Sequence, residues 1–479
     1  MSVLSHLTPQ PMFDFFEQMC AIPHGSGNTK AISDWCVEFA KARNLRWRQD
    51  EHNNVVIWKD GTPGYENAPA VILQGHLDMV CAKDEQCKKD MAVEGLDLFI
   101  DGDLIGARGT SLGGDDGIAV AMALAILDSK DIPHPPLEAV FTIDEEVGLV
   151  GADKFDAFDL NGRYFLNIDS EVEGILTVSC AGGSRNTVTL PLVREFFAGE
   201  VMRLSVSGLL GGHSGQEIDK GRANAITLLG RALRRVQMAS DLRLIGVEGG
   251  EKANVIPRVA YADLVVSDVA AAKAALDVLA EEVRNEFRLT DPDILLALDE
   301  ARFDELPMDA ASTDRAICLL YCAPNGVVAM SADIPGLVQT SLNLGTCTTS
   351  GETVTADFSV RSSLQSERDL VKDRIHCFAA GIGASALATN EYPAWEYRAD
   401  SPLRNLMIDV YREQYGKEPE VAALHAGLEC GIFSGKIDDL DCVSYGPDLL
   451  DIHTAKERMS ISSTQRVYDY TLEVLKRLR

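Results

Sequence analysis

The sequence predicts an α/β protein whose larger domain is a doubly wound, mostly parallel sheet and whose smaller α+β domain is inserted into it. Strand-like apolar runs alternate with helical segments between residues 28 and 168, which is typical of a mostly parallel sheet covered by helices. After residues 180–184, consecutive strands followed by helices replace that alternation. The chain of 479 residues also exceeds one ordinary hydrophobic core, so we expect more than one domain.

The elements of the first domain follow in chain order. Apolar residues at helical spacing predict an amphipathic helix over 28–44, and a continuous alanine-rich apolar run predicts a buried helix over 116–128. Strands are predicted at 54–59, 70–75, 137–143 and 163–168. Because the run at 70–75 is apolar without alternation, we expect both faces of the sheet to be covered.

The inserted domain is predicted over 185–395. The elements expected in it are strands at 203–207 and 259–266, helices at 222–239 and 269–287, and a strand–strand–helix pass over 336–382. Helix–strand alternation then resumes and closes with an amphipathic helix over 462–478. The larger domain is therefore predicted in two parts, 1–184 and 396–479.

Composition restricts the partners and the compartment. The formal net charge of −29 argues against nucleic acid or an anionic membrane as a partner. The eleven cysteines mostly lie in apolar runs, as expected for reduced, buried thiols of a cytosolic protein. The N-terminus lacks the pattern of a signal peptide, and no apolar stretch reaches the roughly 18 residues of a membrane span. We expect a cytoplasmic protein.

The most informative motif is His76-Leu77-Asp78, directly after the strand predicted at 70–75. Open α/β sheets place ligand sites at the carboxyl ends of their strands. The spacing of two residues puts both side chains on one side of an extended backbone, so that the carboxylate can support a metal-binding imidazole. A capped strand end is the alternative interpretation.

A second acidic motif, Gly113-Gly114-Asp115-Asp116-Gly117, stands at the start of the helix predicted at 116–128. Aspartate is a good helix N-cap, and one of the two aspartates would satisfy that role. The pair therefore leaves one carboxylate available for a ligand.

Further acidic residues and a histidine stand at comparable positions. Glu145 and Glu146 follow the strand predicted at 137–143, and Asp169 closes the next one. Adjacent carboxylates repel each other, and a cation would offset that repulsion; a solvated acidic turn is the alternative. With His453 near the C-terminus, these residues form a mixed nitrogen and oxygen set suited to a Zn²⁺ pair or another divalent first-row ion.

The order of these motifs resembles the M20 family of dinuclear metallopeptidases, and most closely its bacterial aminoacyl-histidine dipeptidase (Xaa-His dipeptidase) branch. The likeness runs from residue 9 to the C-terminus. One departure is His453-Thr454-Ala455-Lys456-Glu457, where the family usually has His-Ser-Pro-x-Glu. The other strings that support it are Gln74–Val80, Ala107–Gly113, Gly211–Gly215, Asn254–Arg258 and His425–Gly431.

The resemblance implies a metal site with defined roles. One ion would take His76 and Asp169, the other Glu146 and His453, with Asp115 bridging the two. Asp78 would hold His76, and Glu145 would serve as the general base, because the family assigns the first glutamate of the pair to that role. The ions are expected to be Zn²⁺, with Co²⁺ or Mn²⁺ as alternatives.

The resemblance also implies residues that contact the substrate. His213, in a Gly-Gly-His-Ser-Gly loop, is similar to the family's lid histidine, which in dimeric relatives reaches the partner subunit's site. Asn254 and Arg361 are similar to residues that hold the substrate's carboxylate. His425, Gly427 and Glu429 are expected to line the substrate pocket. A tight turn, a structural ion pair and a helix-opening loop are the respective alternatives.

The expected function is therefore hydrolysis of Xaa-His dipeptides, including β-alanyl-histidine, by a homodimer with two divalent ions per chain. In this interpretation, 1–184 and 396–479 form the catalytic metal-binding domain and 185–395 forms a lid. A tripeptidase or N-acyl amino acid deacylase using the same site is one alternative. A non-catalytic relative that keeps the fold is another.

Overall fold

The computed structural model describes residues 2–479 and confirms the predicted α/β class. The chain forms two compact units. The first comprises the residues up to Ser179 together with Tyr397–Ala423 and Leu428–Arg479. The second comprises Cys180–Glu396 and Leu424–Gly427, so His425 and Gly427 belong with the inserted segment.

Helices account for much of both units, with those of the second unit running from α5 to α8. The bounds are α1 Gln10–Cys20, α2 Lys30–Ala42, α3 Gly114–Asp128, α4 Val150–Lys154, α5 Ala225–Ala239, α6 Val269–Glu286, α7 Ala310–Cys322, α8 Gln365–Gly381, α9 Pro402–Tyr415, α10 Glu429–Lys436 and α11 Ile461–Arg477.

The strands are mostly short. Their bounds are β1 Arg46–Gln49, β2 Val55–Lys59, β3 Val71–His76, β4 Leu98–Asp101, β5 Leu104–Ala107, β6 Leu137–Thr142, β7 Tyr164–Asn167, β8 Ile175–Cys180, β9 Gly182–Pro191, β10 Glu200–Ser207, β11 Gly212–His213, β12 Leu242–Gly249, β13 Val255–Ile256, β14 Ala260–Val266, β15 Leu295–Glu300, β16 Gly326–Met330, β17 Val338–Ser350, β18 Thr353–Ser362, β19 Ser385–Tyr392, β20 Glu420–Leu424, β21 Asp441–Ser444, β22 Leu449–Leu450 and β23 Arg458–Ser460.

The first unit is built on an eight-stranded sheet with the order β1-β2-β6-β3-β7-β21-β8-β20. Its centre is parallel, because β6, β3, β7 and β21 run in one direction, and antiparallel pairs flank them. Strands β3 and β6 are buried along their whole length, as expected for a sheet covered on both faces. The parallel centre brings the carboxyl ends of β3, β6 and β7 to one edge.

Helix α3 packs against this sheet as a core element. It is apolar on all sides and buried from Gly117 to Leu127, which is typical of a helix enclosed within a protein. A Cβ at Gly117 would lie 3.3 Å from the ring of Phe16 on α1, so the two helices approach closely there. The core therefore fixes the start of α3 beside the edge where the strands end.

The second unit contains an antiparallel nine-stranded sheet with the order β15-β10-β14-β12-β17-β18-β9-β19, and β16 pairs with β17. Along β18, buried and half-buried residues alternate, which is typical of a sheet with one face on the core. A separate two-stranded ladder places His213 of β11 opposite Val255 of β13. This ladder brings two of the predicted substrate-contacting segments together.

One feature of the first unit was not anticipated from the sequence. A small sheet joins β22, β23, β5 and β4, whose short strands carry little periodic signal. Across both units, no helix among the described residues is long and apolar enough to cross a bilayer.

Candidate functional site

The structure brings the candidate metal ligands of the first unit together. Within each of three groups, the possible ligand atoms lie within 4.8 Å of one another. The groups are His76 with Asp116 and Asp169, His76 with Glu145 and Glu146, and Asp115 with Glu146 and His453. His76 ends β3, the two glutamates follow β6 and Asp169 follows β7, so these residues lie at the carboxyl edge of the parallel sheet. Asp115 and Asp116 come from the start of α3.

Asp115 lies between two histidines. Its Oδ1 is 3.2 Å from Nε2 of His76, and its Oδ2 is 3.2 Å from Nε2 of His453. Burial raises the pKa of Asp115, but hydrogen bonds from both histidines outweigh burial and hold it below its usual range. Each oxygen of one carboxylate therefore faces a different imidazole.

The remaining ligand candidates lie next to these histidines. The Oε1 of Glu146 is 2.9 Å from Nε2 of His453, and Oδ1 of Asp169 is 3.7 Å from Nε2 of His76. Two ligands of a tetrahedral ion with bonds of about 2.0–2.1 Å lie about 3.4 Å apart. The spacing of these nitrogen and oxygen atoms thus fits two divalent ions that share Asp115.

The orientation of His76 is set through its other ring nitrogen. Nδ1 lies 2.9 Å from the backbone oxygen of Asp78 and 3.4 Å from that residue's carboxylate. The sequence predicted the carboxylate as the partner, but the carbonyl is closer. Burial lowers the pKa of His76, and Asp115 and Asp78 more than offset this effect. Nε2 is left to face the ligands, and a bound cation would take the place of its proton.

The Asp78 carboxylate instead holds the turn that carries the two glutamates. It accepts hydrogen bonds from the backbone N–H of Glu145 at 3.0 Å, from that of Glu146 at 3.4 Å, and from the Ser26 hydroxyl at 2.8 Å. This buried carboxylate therefore links the end of β3 to the residues that follow β6.

Glu145 differs from Glu146 in its surroundings. Burial raises the pKa of Glu145 to about 8, and the negative charges of Glu429, Glu146 and Asp115 act in the same direction. Both glutamates belong to the group around His76, but only Glu146 also lies against His453. A carboxyl group with a raised pKa near a metal site has the properties of an acid–base catalyst.

Sequence reasoning missed the part played by Asp116. Its side chain is buried, and its Oδ2 accepts a hydrogen bond from the backbone N–H of His76 at 3.2 Å. The expectation that one aspartate caps the helix is wrong. The N-cap residue of α3 is Gly113, which has no side chain that could accept a capping hydrogen bond. Asp115 faces the histidines, and Asp116 faces β3.

Glu457 performs the capping role from the far end of the chain. Its carboxylate accepts hydrogen bonds from the backbone N–H groups of Leu112, Gly113 and Gly114 at 2.7–3.1 Å. The side chain is buried. The only sequence signal for this contact was the family-like spacing between His453 and Glu457.

The His453 loop lacks the proline that is usual in the family, and Thr454 stabilises its turn instead. The Thr454 hydroxyl donates to the backbone oxygen of Asp451 at 2.7 Å and accepts from the backbone N–H of Lys456 at 3.0 Å. His453 itself has φ of 60°, and its side chain is 45% exposed. A hydroxyl thus supplies local order where a proline is absent.

His213, in the second unit, has one defined tautomer. Its Nδ1 accepts hydrogen bonds from the backbone N–H groups of Gly215 and Gln216 at 3.3 and 3.1 Å. The proton of the neutral ring therefore resides on Nε2, which is free to donate. Burial and the nearby charge of Arg361 lower the pKa of His213. The ring is consequently a neutral hydrogen-bond donor.

The predicted substrate contacts of the second unit also lie together. Arg361 donates to the Tyr392 hydroxyl at 3.2 Å, and its buried Nε has no partner among the described residues. Asn254 bonds through its backbone oxygen to the N–H of Ser214 at 3.0 Å. A cavity of about 410 Å³ is lined by both Asn254 and Arg361. An anionic group is the ligand that a partly unpaired guanidinium suits.

His425 is held beside Arg361 as a neutral residue. Its Nε2 lies 2.7 Å from the Ser341 hydroxyl. Burial lowers the pKa of His425 to about 3, and the neighbouring Arg361 and His213 add to this effect. Its backbone oxygen would lie 2.5 Å from a Cβ at Gly215, so the loops of His213 and His425 touch within the second unit. Gly427 follows in the same short segment.

Glu429 lies in the first unit at the start of α10. Its Oε2 accepts hydrogen bonds from Gln74 at 2.5 Å and from the Thr142 hydroxyl at 2.7 Å. Its Oε1 is buried and has no hydrogen-bond partner among residues 2–479. Burial raises the pKa of Glu429 to about 7. This carboxyl group is thus anchored to β3 and β6 by one oxygen, with the other unpaired.

The comparisons with known proteins agree with one another. The model of peptidase family M20/M25/M40 matches residues 72–477. The chain is 37% identical to the cytosol non-specific dipeptidase of Escherichia coli strain K12 over 482 residues, which cover 100% of this chain and 99% of that protein.

Solved structures give the same result. The crystal structure of aminoacylhistidine dipeptidase from Vibrio alginolyticus superimposes with a TM-score of 0.94 at 36% identity, over 100% of this chain and 98% of that one. An aminopeptidase PepT from Bacillus cereus has a TM-score of 0.57 at 14% identity and covers 98% of both chains, a likeness of fold alone.

Proposed function

Because this chain belongs to peptidase family M20/M25/M40 and is a hydrolase of peptide bonds, we propose that it is a dinuclear metallo-dipeptidase that cleaves Xaa-His dipeptides, including β-alanyl-histidine. The E. coli and Vibrio relatives are both named dipeptidases. Their names differ in the breadth of substrate, and we take the narrower one for this chain.

The observation that carries the proposal is the position of Asp115. One of its oxygens faces His76 and the other faces His453, each at 3.2 Å. We assign Asp115 as the bridging ligand, with Asp169 beside His76 and Glu146 beside His453. Two divalent ions at these ligands, Zn²⁺ or in its place Co²⁺ or Mn²⁺, would polarise the scissile carbonyl and lower the pKa of a water towards about 7.

Glu145 is the proposed general base. The positive charge of bound metal ions would favour its ionised form. The carboxylate would then accept a proton from the attacking water and pass that proton to the nitrogen of the leaving amine. Asp78 keeps Glu145 in place through the backbone hydrogen bond at 3.0 Å. The neighbouring Glu146 faces His453 and serves as a ligand, so the two adjacent glutamates have separate roles.

The second unit supplies the groups that recognise the substrate. The Nε2–H group of His213 donates a hydrogen bond to the carbonyl oxygen as that oxygen gains negative charge. Arg361 and Asn254 hold the C-terminal carboxylate of the dipeptide, which a guanidinium binds strongly through two hydrogen bonds. In a dipeptide a single residue separates the scissile bond from that carboxylate, so a carboxylate clamp would select for dipeptides.

His425, Gly427 and Glu429 are proposed to line the substrate pocket. His425 is neutral and hydrogen-bonded to Ser341, so it adds a polar wall without a second positive charge beside Arg361. The unpaired Oε1 of Glu429 suits the ammonium group of an unblocked dipeptide. We further propose a cytoplasmic location, in line with the word cytosol in the E. coli relative's name. We also propose a homodimer, as the resemblance of His213 to the family's lid histidine implies.

The alternatives make different demands on the same groups. A tripeptide would place one more residue between the scissile bond and the C-terminal carboxylate. An N-acyl amino acid deacylase would have no ammonium group for Glu429 to receive. A non-catalytic relative would have no use for a buried glutamate beside two histidine ligands.

The deciding experiment compares kcat/KM for Ala-His, Ala-His-amide, Ala-Ala-His and an N-acetyl amino acid, with metal-depleted enzyme as the control. We expect Ala-His to be the best substrate. Amidation should cost about 2–5 kcal/mol, because it leaves the guanidinium of Arg361 desolvated and unpaired. Equal rates on the free and amidated dipeptides would contradict the clamp, and preference for the acetylated compound would favour the deacylase.

A further inference from the structure

A single buried carboxylate ties together both ends of the segment that carries His213. Asp291 accepts a hydrogen bond from the backbone N–H of Leu210 at 2.9 Å through one oxygen and from that of Ala223 at 2.8 Å through the other. Its side chain is 0% exposed. The segment 211–222 between these donors contains His213 and is thus closed at its base by one side chain.

Asp291 is itself fixed to the core of the second unit. Its backbone N–H donates to the oxygen of Phe287 at 2.8 Å, directly after α6. The chain entering the His213 segment passes close to the same turn, because a Cβ at Gly208 would lie 2.0 Å from the backbone oxygen of Asp293. Gly208 has φ of 78°, a conformation that favours glycine.

Within the closed segment, further contacts define the direction of the imidazole. The backbone N–H of His213 donates to Glu217 at 2.8 Å, and Glu217 pairs with Arg222 at 2.9 Å. The Nδ1 of His213 accepts from the N–H groups of the turn that follows it. All these partners lie between the two residues that Asp291 holds. The β11–β13 ladder and the bond from the Ser214 N–H to the Asn254 backbone oxygen hold the middle of the segment, and Asp291 holds its two ends.

We propose that Asp291 is a positioning residue that sets the place of the His213 Nε2–H donor. The inference rests on the proposed function, in which that donor stabilises charge on the carbonyl oxygen. Two bonds from one rigid acceptor fix both the separation and the orientation of the segment's ends. Loss of either bond would let the imidazole shift, and a displacement of about 1 Å at a catalytic group costs about 10²-fold in rate.

The test is the variant Asp291→Asn. Asparagine has a similar shape but keeps one acceptor oxygen and places an NH₂ group against a backbone N–H. We expect kcat for Ala-His to fall about 10–100-fold. KM should change less, because Arg361 lies outside the closed segment and Asn254 touches it through a single backbone bond to Ser214. The matched control is Asp309→Asn in the same unit, whose carboxylate accepts the N–H of Ser312 at the start of α7; it should keep wild-type kcat.

A double-mutant cycle separates positioning from a general structural role. In a His213→Ala background, Asp291→Asn should lower kcat no further, because the donor that it positions is already absent. An equal, independent loss in that background, or a wild-type kcat for Asp291→Asn itself, would overturn the inference. A wild-type kcat for His213→Ala would instead overturn the role of His213 in the proposed function.

Two further measurements apply if Asp291→Asn folds poorly. Gly208→Ala disturbs the turn that carries Asp291, because its Cβ would meet the backbone oxygen of Asp293. This substitution should lower kcat in the wild-type background but not in the His213→Ala background. In ¹⁵N-histidine NMR spectra, His213 of the wild type should show the Nε2–H tautomer, and Asp291→Asn should show exchange between tautomers. An unchanged His213 signal in a folded Asp291→Asn variant would contradict the proposal.

Discussion

The Asp78 carboxylate accepts a hydrogen bond of 3.0 Å from the backbone N–H of Glu145. Two neighbouring strand ends are joined by this bond, since Asp78 follows β3 and Glu145 follows β6. A buried carboxylate that orients a backbone turn acts on the reacting groups without touching the substrate. The proposed separation of roles between Glu145 and Glu146 therefore relies on the turn that Asp78 holds.

Metal content should respond to the bridging position. We expect two divalent ions per chain after reconstitution, measured by elemental analysis. Asp115→Ala should lose both ions because its carboxylate faces both histidines, whereas His453→Ala should mainly weaken one site. A wild-type enzyme that retains only a trace of metal after reconstitution would refute the dinuclear centre.

Glu145→Gln should bind metal normally and turn over about 10²–10⁴-fold more slowly, the range typical of general acid–base catalysis. The amide fills the same space but cannot accept the proton. Glu146→Gln is the comparison, and it should lose metal instead. The opposite pattern, with metal lost only from Glu145→Gln, would exchange the two assignments.

The role of His213 in a homodimer can be tested by subunit exchange. His213→Ala and Glu145→Gln should each retain only residual activity alone. If the histidine serves a partner's site, mixing the two variants should restore activity, because some sites then contain both intact groups. Full activity of a strictly monomeric wild-type protein would exclude this arrangement.

Glu457→Gln should lower the melting temperature of the substrate-free protein. The amide keeps one acceptor oxygen and presents N–H groups to backbone donors near α3, and each buried group left unsatisfied costs about 1–3 kcal/mol. Glu473→Gln is a suitable control, since Glu473 makes only surface pairs with Lys476 and Arg477. Such pairs contribute about 0–1 kcal/mol. Equal melting temperatures for the two variants would contradict the capping role.

His425 should make stability depend on pH. Burial lowers its pKa to about 3 in the folded chain, whereas an unfolded histidine titrates near 6.5, at about its ordinary value. Between these values the unfolded chain binds the extra proton, so the free energy of unfolding falls with decreasing pH by up to about 1.4 kcal/mol per unit. Urea unfolding at pH 5 and pH 7.5 should show a smaller difference for His425→Gln, and an unchanged difference would refute the assignment.

The fold could be predicted from the sequence where periodicity was strong. The apolar run before His76 and the alanine-rich run after Asp116 both indicated buried elements, and the parallel centre of the sheet followed from their alternation. The small sheet of β22, β23, β5 and β4 could not be predicted, because strands of two to four residues carry no period.

The candidate site was predictable to the extent that its residues end strands. His76 and Asp169 each close an apolar run, so their proximity followed from the topology. Glu457 could not be placed, because its backbone partners lie 342–345 residues earlier in the chain. For Asp115, the local capping rule failed because its carboxylate faces His76 and His453, while Glu457 accepts the backbone N–H groups at the start of α3.

The division of the chain into units has a consequence for synthesis on the ribosome. Strand β7 borders β3 on one side and β21 on the other, yet β21 is made only at Asp441–Ser444. The second unit is complete once Gly427 has been added. The nascent inserted unit can therefore form its hydrophobic core first. The edge of β7 stays unpaired until the last part of the chain supplies β21. A truncation after Gly427 would leave that edge permanently open, and such a fragment should be retained by chaperones or degraded.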